Sequence, residues 1–191
     1  MSGIVGGSNN RGSGLVAHLG TDGQVLTSAG VGLKQVFEDA GGGVPDATRP
    51  AFLVGADNQL NVTGNGTDYD ILWASEIFDQ GSDFASNTFT APSTGKYFLA
   101  ATVKAQGWNG DEDYSLINII TSNRTYTWQI AHTDTVSNST QSLQTSMVAD
   151  MDASDTATVQ FYTNGAGGDT IDVKGYGTGH GHTHFSGCLI A

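Results

Sequence analysis

The chain has 191 residues, enough for one domain with a sizeable core and an additional segment. It carries 7 Lys and Arg against 19 Asp and Glu, a formal net charge of −12, which works against docking on a nucleic-acid phosphate backbone. No run of about eighteen apolar residues is present, so no helical membrane span is expected, and a single cysteine, Cys188, cannot close an internal disulfide.

In chain order, Met1–Gly14 is rich in Gly and Ser and too poor in apolar side chains to build a core. Such a segment reads as a flexible arm that becomes ordered on a partner. It has neither the basic nor the apolar region of a secretory signal, so synthesis without a signal peptide is expected. Leu15–Leu19 and Gln24–Thr27 are strand-like and are separated by Gly20-Thr-Asp-Gly23, a hairpin-type turn. Gly30–Glu38 is a third candidate strand, and Gly41-Gly-Gly-Val-Pro45 reads as a hinge. The boundary falls near Arg49: residues 1–48 form an N-terminal arm and residues 49–191 the main domain. Net charge is −1 through Arg49 and −11 beyond it.

Past the boundary the hydrophobic period is two. Phe52–Val54, Asp70–Trp73 and Thr88–Thr90 open the series. In Lys96–Val103 the side chains of Tyr97, Leu99, Ala101 and Val103 point to one face, and those of Phe98, Ala100 and Thr102 to the other. Tyr114–Thr121, Arg124–His132, Gln141–Val148, Ala157–Tyr162, Thr170–Val173 and Phe185–Ile190 bring the total to about ten strands. Short strands punctuated by turn residues imply an all-β sandwich or barrel. Trp73, Trp128 and Cys188 are expected in its core, and Gly187 is expected to admit a second backbone close to the last strand. Asp79–Ser86 and Val31–Ala40 are the only stretches with any helical character, and both are short.

Four segments together resemble the C1q/TNF-like jelly-roll family over Arg49–Ala191: Pro50-Ala-Phe-Leu-Val54, Phe78-Asp79, Phe89-Thr-Ala-Pro92 with Gly95-Lys-Tyr-Phe-Leu99, and Phe185-Ser-Gly-Cys-Leu-Ile190. Cys188 departs from the family's large residue, and Ala153-Ser-Asp155 stands where Gly-Asp is usual. The resemblance implies a ten-stranded jelly-roll β-sandwich that assembles as a homotrimer. Gly20–Gly30 resembles a segment of tailed-phage fibre and virion proteins, notably of marine phages. Jointly these imply a phage virion surface protein made in the host cytoplasm. It would be a trimeric knob on a short tail fibre or a capsid decoration, with residues 1–45 docked on other virion proteins and a role in attaching to a host-surface glycan or protein. The alternative is a free soluble C1q-like module that recognises glycans or proteins.

Two local features bear on ligands. In Gly179-His-Gly-His-Thr-His184 the three imidazoles of His180, His182 and His184 share parity, so an extended strand puts them on one side. Around the three-fold axis that the resemblance implies, each layer would offer three nitrogens, suited to Zn, Ni or Fe. The other reading is a polar loop. In Trp108-Asn-Gly-Asp-Glu-Asp-Tyr114, a sugar could stack on Trp108 while Asp111, Glu112 and Asp113 bind it or hold Ca²⁺. Here too a solvated hairpin loop is the other reading. His18 and His132 are isolated. No G-x-S-x-G, P-loop, H-E-x-x-H or C-x-x-C motif occurs, so a non-enzymatic role is expected.

Overall fold

The structure, a computed structural model, describes residues 24–27, 36–39, 49–132, 139–175 and 181–190. The chain divides into two units, Met1–Asp46 and Ala47–Ala191. In the first, β1 (Gln24–Thr27) pairs antiparallel with β2 (Val36–Asp39), Gln24 opposite Asp39 and Thr27 opposite Val36. The Gln24–Thr27 strand therefore finds its partner downstream, inside the stretch expected to hold a third strand. Leu15–Leu19, the Gly20–Gly23 turn, the Gly41–Pro45 hinge, His18 and His180 lie outside the described residues.

The second unit is all strand, with no helix among the described residues. Its seven-stranded sheet is built on β9 (Gly95–Gln106), along which β12 (Thr140–Met151) pairs for its whole length. The opposite edge of β9 is shared by β14 (Ile171–Val173) and β15 (His184–Leu189), which lie in line. Outside them come β4 (Gln59–Thr63) against β14 and β3 (Ala51–Gly55) against β15, and then β6 (Ser75–Gln80) against β3. The six-stranded sheet runs from edge strand β11 (Thr125–Ala131) through β10 (Tyr114–Thr121) to β13 (Thr156–Asn164). The far edge of β13 is shared by β5 (Thr67–Asp70) and β8 (Thr88–Thr90), and β7 (Phe84–Ala85) pairs with β8.

Alternation builds the core. In β9, Tyr97, Leu99, Ala101, Val103 and Ala105 are buried, while Phe98, Ala100 and Thr102 face outward. The same parity buries Ile117 and Ile119 of β10 and Ala157, Val159 and Phe161 of β13. The two inward faces meet in one hydrophobic core, as sandwiches require. Phe52 is its aromatic centre, with ring centroids 4.7 Å from Phe89, 5.0 Å from Phe185 and 5.1 Å from Phe84. Ring pairs of this kind add about 0.5–1.5 kcal/mol each beyond their buried area.

Several expectations are corrected. The strand expected at Asp70–Trp73 lies earlier, at Thr67–Asp70, and Ile71 then dives into the core. The Leu72 backbone is paired by a side chain instead of a strand: Leu72 N–H donates to Gln59 Oε1 at 3.0 Å, and Gln59 Nε2 donates to the Leu72 carbonyl at 2.9 Å. Trp128 is 40% exposed, because it belongs to edge strand β11. Cys188 is only half-buried, since its parity turns it outward. A Cβ on Gly187 would lie 2.7 Å from both Leu99 Cδ2 and Phe52 Cε1, so core side chains, not a second backbone, require this glycine. Strands β4 and β6 were not anticipated because exposed Leu60, Ile77 and Phe78 break the alternation. The β3–β6 register also shifts at Leu53/Val54, where Ile77 is skipped in a bulge.

Candidate functional site

The Trp108–Tyr114 loop is not an open sugar platform. Trp108 is wholly buried, its Nε1 donating to the Ala105 carbonyl at 3.2 Å, so no face of the ring is left for stacking. Glu112 is also buried, and its two oxygens accept from Asn109 N at 2.7 Å and Gly110 N at 3.0 Å. Asn109 in turn donates to the Ala166 carbonyl and accepts from Asp111 N. The loop thus spends its polar groups on its own closure. Asp111 and Asp113 are exposed, and Asp113 accepts from Asn164 Nδ2 at 3.2 Å. Among the described residues, no group of three or more His, Cys, Asp or Glu is arranged to hold a metal.

His132, read as isolated, is built into this region. Its ring centroid lies 4.5 Å from that of Trp108, and its Nε2 is 2.8 Å from the Ser115 hydroxyl, which reaches Thr163 Oγ1 at 2.7 Å. Burial lowers its pKa, and the Glu112 carboxylate pulls partly the other way. Ser115 is fully buried, so the Ser–His contact is structural and not a nucleophile open to substrate.

Of the histidine segment, His182 and His184 are described. His184 Nδ1 lies 2.9 Å from the Gly181 carbonyl, which can only accept. The proton is therefore on Nδ1, and the Nε2 lone pair is left as the ligating atom. Lys104 Nζ donates to His182 Nδ1 at 3.5 Å, and an ammonium group beside this imidazole disfavours a bound cation.

The outer face of the seven-stranded sheet was missed in the sequence. Register places Gln80, Ala51, Cys188, Phe98 and Val148 in one cross-strand row, and Phe78, Leu53, Ser186, Ala100 and Ser146 in the next. A third row runs Gly55, His184, Thr102, Gln144. No Lys, Arg, Asp or Glu occurs in the three rows. The Lys96–Asp150 ion pair bounds them on one side and Lys104 on the other. Phe78, Phe98 and Val148 are 48%, 40% and 53% exposed, and a shallow groove runs from Phe98 past Ser146 to Trp128.

The outer face of the six-stranded sheet is different in kind. One row runs Thr127, Asn118, Gln160, Asp70, and the next Gln129, Leu116, Tyr162, Asp68. Tyr114 and Tyr162 stack with centroids 5.6 Å apart and hydroxyls 3.3 Å apart. The hydrogen bond with Tyr114 raises the Tyr162 phenol pKa, with burial adding to it. A sequence signal did exist for this face: Asn118 interrupts the otherwise apolar run Leu116-Ile-Asn-Ile-Ile120.

No family model matches the chain, and no curated protein matches it. Solved structures are similar in shape. The globular domain of zebrafish complement 1qA protein shares 13% identity at a TM-score of 0.51, covering 74% of this chain and 98% of that one. Murine APRIL at pH 5.0 shares 13% identity at a TM-score of 0.49, covering 74% and 99%. Likeness at such identity concerns the backbone arrangement, and with the sheet order above it makes this all-β unit a C1q/TNF-like jelly-roll sandwich.

Proposed function

We propose that this chain is a non-enzymatic, self-assembling surface module: a homotrimeric C1q-like knob on a phage virion, at a short tail fibre or as a capsid decoration, serving attachment to a host or other surface. The observation that carries the assembly is the uncharged outer face of the seven-stranded sheet. A chain of net charge −12 repels its own copies, so contact between two copies is least opposed where carboxylates are missing. That face supplies three cross-strand rows free of charge, with Phe78, Phe98 and Val148 standing in solvent. Apolar area of this kind, bounded by charged residues, is the pattern of a protein–protein interface. The occupant is a second copy of this chain, and the trimeric order follows from the family resemblance.

His184 belongs to the same face, so a trimer would gather three Nε2 lone pairs near its axis. This is how the expected Zn, Ni or Fe site would be made, with His184 as the better ligand than His182. The virion setting rests on the Gly20–Gly30 resemblance, with residues 1–45 as the part that joins other virion proteins. Sedimentation velocity of the full chain at micromolar concentration tests the assembly, and a monomer overturns it. Immunogold labelling of purified phage particles tests the setting, and particles without the protein overturn that part alone.

A further inference from the structure

We infer that Lys104, Lys174 and His182 form a binding site for a small tetrahedral oxyanion, sulfate or phosphate, where the outer face of the seven-stranded sheet ends. The starting point is a cross-strand pair that packing does not explain. Asp172 faces Gln106, Val173 faces Ala105, and Lys174 N–H donates to the Lys104 carbonyl at 2.7 Å, so one register sets the two lysines opposite each other. Val103, Ala105 and Val173 are buried, and alternation therefore turns both lysines outward on one face. Like charges directly opposite each other destabilise a sheet. The chain has 19 Asp and Glu with which to neutralise them, yet Lys96–Asp150 is the one ion pair among the described residues. Asp172 shares this face and accepts from Asn61 N–H at 2.9 Å, and Asp57 follows Ala56, against which Gly175 packs. Neither forms an ion pair with a lysine among the described residues. A charge pair that breaks the local rules without a structural return marks a functional position.

The donors are held in fixed positions. In a regular antiparallel pair, Lys104 N–H would return a bond to the Lys174 carbonyl. Here the buried Thr183 hydroxyl stands between them, accepting from Lys104 N–H at 3.0 Å and donating to the Lys174 carbonyl at 2.8 Å. Its neighbour His182 is brought to the same place, with Nδ1 at 3.5 Å from Lys104 Nζ. An ammonium group can only donate, so Nδ1 accepts and the ring proton is on Nε2. Ser142 of β12 faces Lys104 from the other side and adds a hydroxyl. The Lys174 ammonium has no hydrogen-bond partner among the described residues and is open to solvent, so it is presented to a ligand.

The donor set defines the ligand. Ammonium groups from β9 and β14, an imidazole N–H and a hydroxyl call for several oxygens and for negative charge. A carboxylate brings a pair of oxygens and a single charge, whereas sulfate and phosphate bring more oxygens and about two charges, a match for the two ammonium groups. A long polyanion is opposed by the acidic main domain, so the ligand is small. The ammonium that disfavours a cation at His182 favours this anion. Every donor belongs to one chain, so the site does not rest on self-assembly.

Amide NMR spectra of the full chain, titrated with sodium sulfate or sodium phosphate against sodium chloride at equal ionic strength, test the inference. Sulfate or phosphate should give saturable shifts at Lys104, Lys174, His182 and Thr183 that chloride does not give. Lys104→Met and Lys174→Met each remove one charge and keep the aliphatic stem, and each should weaken binding about tenfold or more. Without the ion, Lys174→Met should keep or raise Tm, because it relieves the repulsion. Glucose 6-phosphate, with glucose as control, separates the sources: binding as tight as that of inorganic phosphate assigns the site to a phosphorylated ligand, and loss of binding assigns it to the free ion. No saturable shift with either ion overturns the inference, as does a Lys104→Met/Lys174→Met double variant that binds like the wild type. A Lys174→Met variant less stable than the wild type in ion-free buffer overturns it too, since the pair then has a structural purpose.

Discussion

Phe98 on β9 and Val148 on β12 stand directly opposite each other on the outer face of the seven-stranded sheet, and both side chains project into solvent. An exposed apolar cross-strand pair gives an isolated domain little, so its energetic role lies in what covers it. Val148→Asp should break the assembly by at least ~2 kcal/mol per interface, the scale of a buried hot spot receiving a charge. The fold itself should lose less than about 1 kcal/mol, as for an exposed position. Sedimentation equilibrium alongside far-UV circular dichroism checks both, with a folded monomer as the expected result.

Trp108→Ala should cost about 3–5 kcal/mol of folding stability, the range for emptying a buried aromatic site. Glu112→Gln should cost about 1–3 kcal/mol, because an amide leaves one of the two backbone N–H groups without its acceptor. Urea unfolding measures both.

Acid sensitivity should have two separate stages. Burial holds the His132 pKa below its ordinary value, so the unfolded chain takes up this proton at a higher pH than the folded protein does. Stability is full above the unfolded value of about 6.5 and falls as pH drops from there towards the folded value, where the unfolded state binds more protons. Asp150 is depressed by its hydrogen bond to Lys96, so its contribution is present above the unfolded value of about 3.9 and is lost as pH falls through the folded one. Urea midpoints across a pH series should lose the upper stage in His132→Gln and only a small part of the lower one in Lys96→Met, since an exposed ion pair contributes little.

Gly187→Ala should destabilise by about 1–3 kcal/mol, the usual cost of overpacking, because the new methyl meets Leu99 and Phe52 in the core. Gly175→Ala should be worse. Its Cβ would lie 1.8 Å from the Ala56 carbonyl oxygen, a backbone atom that cannot swing away. Thermal denaturation of the two variants should rank them in that order.

Zn²⁺ or Ni²⁺ should raise the Tm of the wild type, and a chelator should reverse the rise. His184→Ala should abolish the response, whereas His182→Ala should keep most of it, since Lys104 stands beside His182. An equal response in all three proteins would remove the metal from the assembly.

The sequence exposed the sandwich wherever one face of a strand is buried and the other wet, as in Tyr97–Val103, because burial then imposes period two. It concealed β4 and β6, whose exposed Leu60, Ile77 and Phe78 obey a surface and not the core. Tryptophan was misread for a related reason. The acidic Gly turn suggested an exposed Trp108 and the strand run a buried Trp128, whereas loop closure and edge position decide the opposite. The uncharged face was invisible along the chain because its rows join residues as distant as Leu53 and Ser186, which only register brings side by side. Asn118 was readable as an oddity, but that its carbonyl is both buried and unpaired depends on Gln160 and Asp70 from two other strands.

The edge of β9 is occupied first by β14 and then, in line, by β15, with the chain departing after Val173 and returning at His184. The neck of this departure is clasped: Thr183 Oγ1 donates to the Lys174 carbonyl at 2.8 Å, and Lys104 N–H donates to Thr183 Oγ1 at 3.0 Å. One buried hydroxyl thus ties the backbone just after β14 and the central strand β9 to the residue just before β15. Thr183 is thereby a splice, holding in line two strands that share a single edge.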